Sequence, residues 1–154
     1  GVYKLAASRE GSDEPWQDRL KISETAAKLT VPGVLDVRRY YYEDGRIAGD
    51  MVFDVNAPMD GCETIVDPFD SLRRKNLHGK RFETLLEPLA RGGEPVLSDE
   101  ARDANAARER TRAQLATLDE SQKRMLNPHT YPVGLERGLH ERRRALVARM
   151  RGIA

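Results

Sequence analysis

Cysteine is nearly absent. The 154 residues contain one, Cys62, so no internal disulfide can form and the chain reads as built for a reducing compartment, the cytoplasm. In "DGCETIVD" no base neighbours that thiol, and Cys62 reads as a small, half-buried strand residue rather than a nucleophile. Long apolar runs are missing too: nothing approaches the roughly 18–20 residues that cross a bilayer, which argues against a membrane partner. The start lacks the basic and apolar regions of a secretory signal. Net charge is close to nil, with Lys+Arg 26 against Asp+Glu 25 for a balance of +1, so the whole molecule has no electrostatic reason to seek nucleic acid or an anionic surface.

Catalytic signatures are also lacking. There is no GxGxxG, GxxxxGK[ST], HExxH, CxxC or GxSxG. His129 and His140 stand eleven residues apart without acid or cysteine at ligand spacing, which gives no zinc site. His129 in "NPHTYP" reads as fixing a turn. Glu63, Asp67 and Asp70 flank a Pro-Phe turn and read as its stabilisers.

What is present is a polar but globular composition, 39% hydrophobic and 33% charged, in a length that suits one domain. The first two thirds read as antiparallel strands and hairpins. "GVYKLAAS" and "DRLKIS" are extended by residue type, and Pro32-Gly33 marks a turn. In "VLDVRRYYYEDGRIAGDMVFDV" Asp44-Gly45 predicts a two-residue hairpin. Its return strand places Ile47, Gly49, Met51, Phe53 and Val55 on one face. Pro88 and Gly92-Gly93 favour strands over a helix in "RFETLLEPLARGGEPV".

From Ser98, an expected N-cap, the period becomes helical. Ala101, Ala104, Ala107 (or Arg108), Thr111, Leu115 and Leu118 form a narrow stripe of small residues that packs close to a surface. "DESQKRML" is expected as a second short helix capped by Asp119. Leu135, Leu139, Leu146 and Met150 predict a last helix, after "NPHTYPVG" as a rigid corner anchored by Tyr131. The expected class is α+β, with a β-rich segment over 1–97 and a helical segment over 98–154.

Two cationic groups stand out. Arg142, Arg143 and Arg144 carry no interleaved aromatics and read as a solvated helix face. Lys4, Lys21 and Lys28 lie on or beside extended segments, where lysines can converge on a phosphate or pyrophosphate.

Three stretches now fall into a known order. "GVYKLAA", "KISETAAKLTVPG" and "VRRYYYEDGRIAGDMV" resemble the GGVYKLV, K-[IL]-[ST]-E-x-P-x-K-x-T-x-P-G and v-x-R-x-y-x-x-d-G-x-x-x-D segments of nicotinate phosphoribosyltransferases. "DPFDSLRRKNLHGKRFETLLEPLARGGEPV" and "LDESQKRMLNPHTYPVGLERGLHERRRALV" are similar to that family's later segments. The match runs through essentially the whole chain. One departure is Ala26 or Ala27 where the family has a proline before the lysine.

The resemblance implies the C-terminal part of a type II phosphoribosyltransferase, an irregular α/β barrel plus a sheet domain. It implies an enzyme that joins nicotinate to phosphoribosyl pyrophosphate with ATP hydrolysis and magnesium, yielding nicotinate mononucleotide for NAD salvage, and that works as a homodimer. The family's catalytic residues precede "GVYKL", and the chain opens in a strand without methionine. A piece of something longer is therefore expected: no catalytic residue, no metal site, no cofactor held alone and no activity alone. Its partner is the N-terminal remainder of the same enzyme. Lys4, Lys21 and Lys28 are then expected to face the phosphate-bearing end of the active site. The competing expectation is a stand-alone α+β interaction module that binds an acidic partner or nucleic acid through its arginine-rich last helix.

Overall fold

The computed structural model describes residues 4–24, 29–57, 59, 61, 63–99 and 103–153. Cys62 and Lys28 lie outside them. So do residues 100–102, just after the expected cap at Ser98.

The chain opens with a short antiparallel pair, β1 (Ala7–Ser8) and β2 (Gln17–Asp18). A hairpin follows, β3 (Leu35–Tyr41) and β4 (Ile47–Asp54). The strand pair is as expected, but its turn is not a two-residue one. Gly45 N–H donates to Tyr42 O at 3.0 Å and Tyr42 N–H to Arg46 O at 2.9 Å, which encloses three residues. Gly45 alone has positive φ, +83°, while Asp44 does not. This is the turn-plus-bulge solution in which only the last loop residue must be left-handed. The Asp44 carboxylate accepts from Arg46 N–H at 3.0 Å and fixes it.

Three more strands, β5 (Thr64–Val66), β6 (Arg74–Asn76) and β7 (Arg81–Thr84), precede a small hairpin of β8 (Ala90–Arg91) and β9 (Glu94–Pro95). Gly92 and Gly93 at φ +58° and +88° make its turn, so strands won over helix as Pro88 suggested. Helix α1 (Ala104–Ala116) is capped by Asp103, whose carboxylate accepts from Asn105 and Ala106 N–H. Strand β10 (Val133–Glu136) then runs straight into α2 (Arg137–Met150).

The main sheet has six strands in the order β6-β5-β10-β4-β3-β7. Its two edge strands are consecutive in sequence, joined only by residues 77–80. A flat sheet of that size is about 24 Å wide, whereas five chain steps reach about 17 Å. The sheet must therefore curl until its edges approach. Leu77, inside that link, is fully buried and joins Tyr40, Ala48, Met51, Phe53 and Ile65 in the core it encloses. Ala48 belongs there because it is an unpaired bulge residue: Tyr40 faces Gly49 and Tyr41 faces Ile47. Its carbonyl accepts from Lys75 Nζ at 2.7 Å.

Strand β10 was not foreseen. "NPHTYPVG" is no corner between two helices; it leads an extended strand into the middle of the sheet, parallel to β4 and antiparallel to β5. Two glycines permit this. A Cβ on Gly134 would lie 2.6 Å from Val66 O, and one on Gly49 would lie 2.8 Å from Pro132 O. Leu135 consequently belongs to a strand, not to the last helix. The "DESQKRML" helix is absent. Its residues form turns, with Asp119 accepting from Ser121 N–H at 2.9 Å, and Met125 and Leu126 are 97% and 83% exposed. With no apolar face to bury, nothing stabilises a short helix there.

The two helices differ. No residue of α1 is buried, and of the small-residue stripe only Ala107 and Leu118 are even half-buried among the described residues. Helix α2 lies against β5 and β10 and buries Leu139, His140 and Arg143. Glu136, itself buried, caps it by accepting from Gly138 and Leu139 N–H at 2.8 Å each. The class is α+β.

Candidate functional site

The N-terminal layer carries the lysines singled out from the sequence. In the β1–β2 register Ala7 faces Asp18 and Ser8 faces Gln17, and Arg19 N–H donates to Ala6 O at 2.8 Å. Lys4 and Lys21 both lie beyond the end of this pair at which Ala7 faces Asp18. Both are exposed, beyond the strand ends rather than within them. Lys21 is held by its backbone: its N–H donates to Thr30 Oγ1 at 3.3 Å and its carbonyl accepts from Thr30 N–H at 3.4 Å. The structure thus brings Lys4 and Lys21 to one end of a small layer.

That layer is fastened to the sheet by the arginine run, and here the solvated-face reading fails. Arg142 Nε lies 3.1 Å from Asp18 Oδ2, and its Nη2 donates to Asp54 Oδ2. Arg143 is 5% exposed. It donates through Nε to Thr30 O at 3.3 Å and through Nη1 to Pro68 O at 3.0 Å. Burial pulls its pKa below the ordinary arginine value. Of the three, Arg144 alone is exposed. The reason is position: Arg142 and Arg143 sit on the face of α2 turned towards the residues that precede β3. Gly33 completes the contact at φ +110°, where a Cβ would lie 2.5 Å from Asp54 Oδ2.

His140, also buried, has its pKa lowered, first by burial and then by Arg144, Arg143 and Arg74, with Glu141 opposing. On the sheet, Arg39 makes a two-pronged pair with Asp50, Nε–Oδ1 and Nη2–Oδ2 both 2.9 Å. Tyr131 faces this pair. Burial, then the Asp50 charge, push its phenol up. Its hydroxyl is buried beside that pair with no hydrogen-bond partner among the described residues, which is not the apolar anchor expected. Tyr41 bonds to Glu83, and burial followed by that bond push it to about 12.

At one end of the curled sheet a cleft of about 520 Å³ opens, bounded by Arg38, Phe53, Met59, Glu63 and His78. Arg38 is stacked 4.7 Å from the Phe53 ring and 4.3 Å from the Phe82 ring. Glu63 accepts from the Tyr40 hydroxyl at 3.2 Å and stands 3.8 Å from His78 Nδ1. Tyr40 is raised, first by burial, with Arg38 opposing. Glu63 thus does not stabilise the Pro-Phe turn. Asp67 and Asp70 do, accepting from Phe69 and Leu72 N–H at 2.8 and 3.0 Å. His129 N–H donates to Ser121 O at 3.0 Å, which closes its loop. Sequence reasoning missed Arg38; the Arg38-Arg39 pair in "DVRRYYY" gives no sign that one arginine has a carboxylate and the other two rings.

Among the described residues no three His, Cys, Asp or Glu side chains form a group that could hold a metal, and no helix is long and apolar enough to cross a membrane.

A family model described as the nicotinate phosphoribosyltransferase C-terminal domain matches residues 36–143. Among solved structures, the crystal structure of human nicotinic acid phosphoribosyltransferase matches with a TM-score of 0.60 at 24% sequence identity. The match covers 77% of this chain and 24% of that one, so the chain spans about a quarter of that enzyme's length. At such identity the likeness is one of fold. A search of curated proteins returns no match.

Proposed function

The chain belongs to the family of nicotinate phosphoribosyltransferase C-terminal domains, and we propose that it serves as that part of an enzyme joining nicotinate to phosphoribosyl pyrophosphate. The proposed reaction consumes ATP and yields nicotinate mononucleotide, an entry to NAD in the cytoplasm, by a polypeptide that pairs into a homodimer. The observation that carries this reading is the family match across residues 36–143, which takes in all but the first residue of the curled sheet and the first half of α2.

Within that enzyme the chain's contribution is architectural and electrostatic. Arg142 and Arg143 tie the N-terminal layer to the sheet, and the layer presents Lys4 and Lys21 from one end. We assign these two, with Lys28, to the phosphate or pyrophosphate of the substrate. Lysine suits this as a compact charge with three donors. No step through magnesium or ATP is derived, because the described residues offer no converging metal ligands. The reading of a module that grips acidic partners through its last helix is the poorer one, since Arg142 and Arg143 already have partners inside the fold.

The test is product formation. The 154-residue chain alone is expected to make no nicotinate mononucleotide from nicotinate, phosphoribosyl pyrophosphate and ATP. Joined to the polypeptide that precedes it, it is expected to do so. Product from the isolated chain would contradict the architectural role, and none from the joined protein would contradict the reaction.

A further inference from the structure

Arg38 and Arg39 are sequence neighbours on opposite faces of β3, and their surroundings could hardly differ. Arg39 has a carboxylate at two points. Arg38 has no carboxylate within ion-pair distance among the described residues. Its Nη1 donates to the sulfur of Met59 at 3.6 Å, a weak acceptor, and its Nε is buried with no partner among the described residues. Two aromatic rings hold the guanidinium flat between them. Cation–π attraction supports a charge, but rings on its faces do nothing for the in-plane Nε–H, which stays unfilled. A buried, unfilled N–H costs about 1–3 kcal/mol, and such groups in native proteins call for a reason.

The place supplies one. Arg38 lies at the mouth of the curled sheet, on a cleft of about 520 Å³, and barrel mouths are favoured ligand sites. Among the described residues lining that cleft, Glu63 is already engaged, with Tyr40 and His78. Asp54 is likewise engaged, with Arg142. The remaining walls, Phe53 and Met59 with Val55 and Ala57, are largely apolar. We propose that this cleft binds a carboxylate borne on an apolar body, with the carboxylate in the plane of the Arg38 fork and the body against Phe53 and Met59. A planar carboxylate fits a planar fork at two points, whereas a tetrahedral phosphate with its greater charge meets Glu63 across the cleft. This inference is independent of the reaction assigned above.

The experiment uses the 154-residue chain with benzoate, acetate and inorganic phosphate as probes, read by titration calorimetry and by the Arg38 Nε–Hε nuclear magnetic resonance signal. R38K assigns that signal by removing it. Benzoate is expected to bind saturably and move the signal. R38K and R38Q are each expected to weaken benzoate about tenfold while near-ultraviolet circular dichroism shows the fold retained. Acetate, lacking the body, is expected to bind more weakly. Should R38Q fail to fold, R38K decides. Benzoate leaving the signal in place, binding R38K as tightly as the original chain, or being matched by phosphate would overturn the proposal.

Discussion

Arg142 on the last helix reaches Asp54 at the end of β4, 88 residues away in sequence, while its Nε stands 3.1 Å from Asp18 on β2. One side chain therefore joins three parts of the fold. Asp54 is 7% exposed, and besides Arg142 its carboxylate accepts only from Asn56 N–H, at 3.0 Å, among the described residues. Replacing Arg142 strands a buried carboxylate, a loss of about 3–5 kcal/mol. R142M is expected to lower stability by about that amount in urea unfolding. The double variant D54N/R142M is expected to recover part of the loss, a coupling that additive costs would contradict.

Gly134 sits where β10 passes β5. A Cβ there would meet Val66 backbone atoms at 2.6, 2.9 and 3.0 Å, and backbone cannot give as a side-chain tip can. G134A is expected to cost about 3 kcal/mol or more. At Gly11 the same Cβ would meet only Glu14 Cγ at 3.7 Å, so G11A is expected to stay within about 0.5 kcal/mol. Thermal unfolding of both decides it, and equal losses would refute the wedge argument.

This pair of glycines also shows what sequence could and could not reveal. The β3–β4 hairpin and the β8–β9 hairpin were legible because turn residues and alternation are local signals. Strand β10 was not: four residues between two prolines and a helix carry no periodicity, and its neighbours are far away in the chain. Its signature is the absence of a side chain at Gly134 and Gly49, which means nothing until the strands are placed. The arginine run misled for the opposite reason. Charge predicts exposure, and only the tertiary contacts to Asp18, Asp54, Thr30 and Pro68 override it. Family resemblance indicated the fold before periodicity could, because it carries the placement that local patterns lack.

His140 gives the fold an acid-sensitive point. Its folded pKa lies below the ordinary value of about 6.5, chiefly because it is buried. Between the two values the unfolded state holds more protons, so stability rises with pH across that window. The contribution is whole above about 6.5 and is lost as pH falls towards the folded value. Melting temperatures taken from pH 8 to pH 5 are expected to fall more steeply for the original chain than for H140Q; parallel curves would remove the assignment.

Lys21 is the lysine whose backbone is fixed, through Thr30. In the protein that includes the preceding polypeptide, K21M is expected to raise KM for phosphoribosyl pyrophosphate about tenfold, the size of one charge-assisted contact, with KM for nicotinate little changed. An unaltered phosphoribosyl pyrophosphate KM would take Lys21 out of the site.

The sheet completes its own core beside a helix, α1, none of whose residues is buried. Hydrogen exchange over Ala104–Ala116 tests this most directly, since a lone helix of about that length is marginal in water. In the isolated chain these amides are expected to exchange fast while those of β4 are protected, and to slow once the preceding polypeptide is joined. Protection of α1 equal to that of β4 in the isolated chain, or no change on joining, would contradict it.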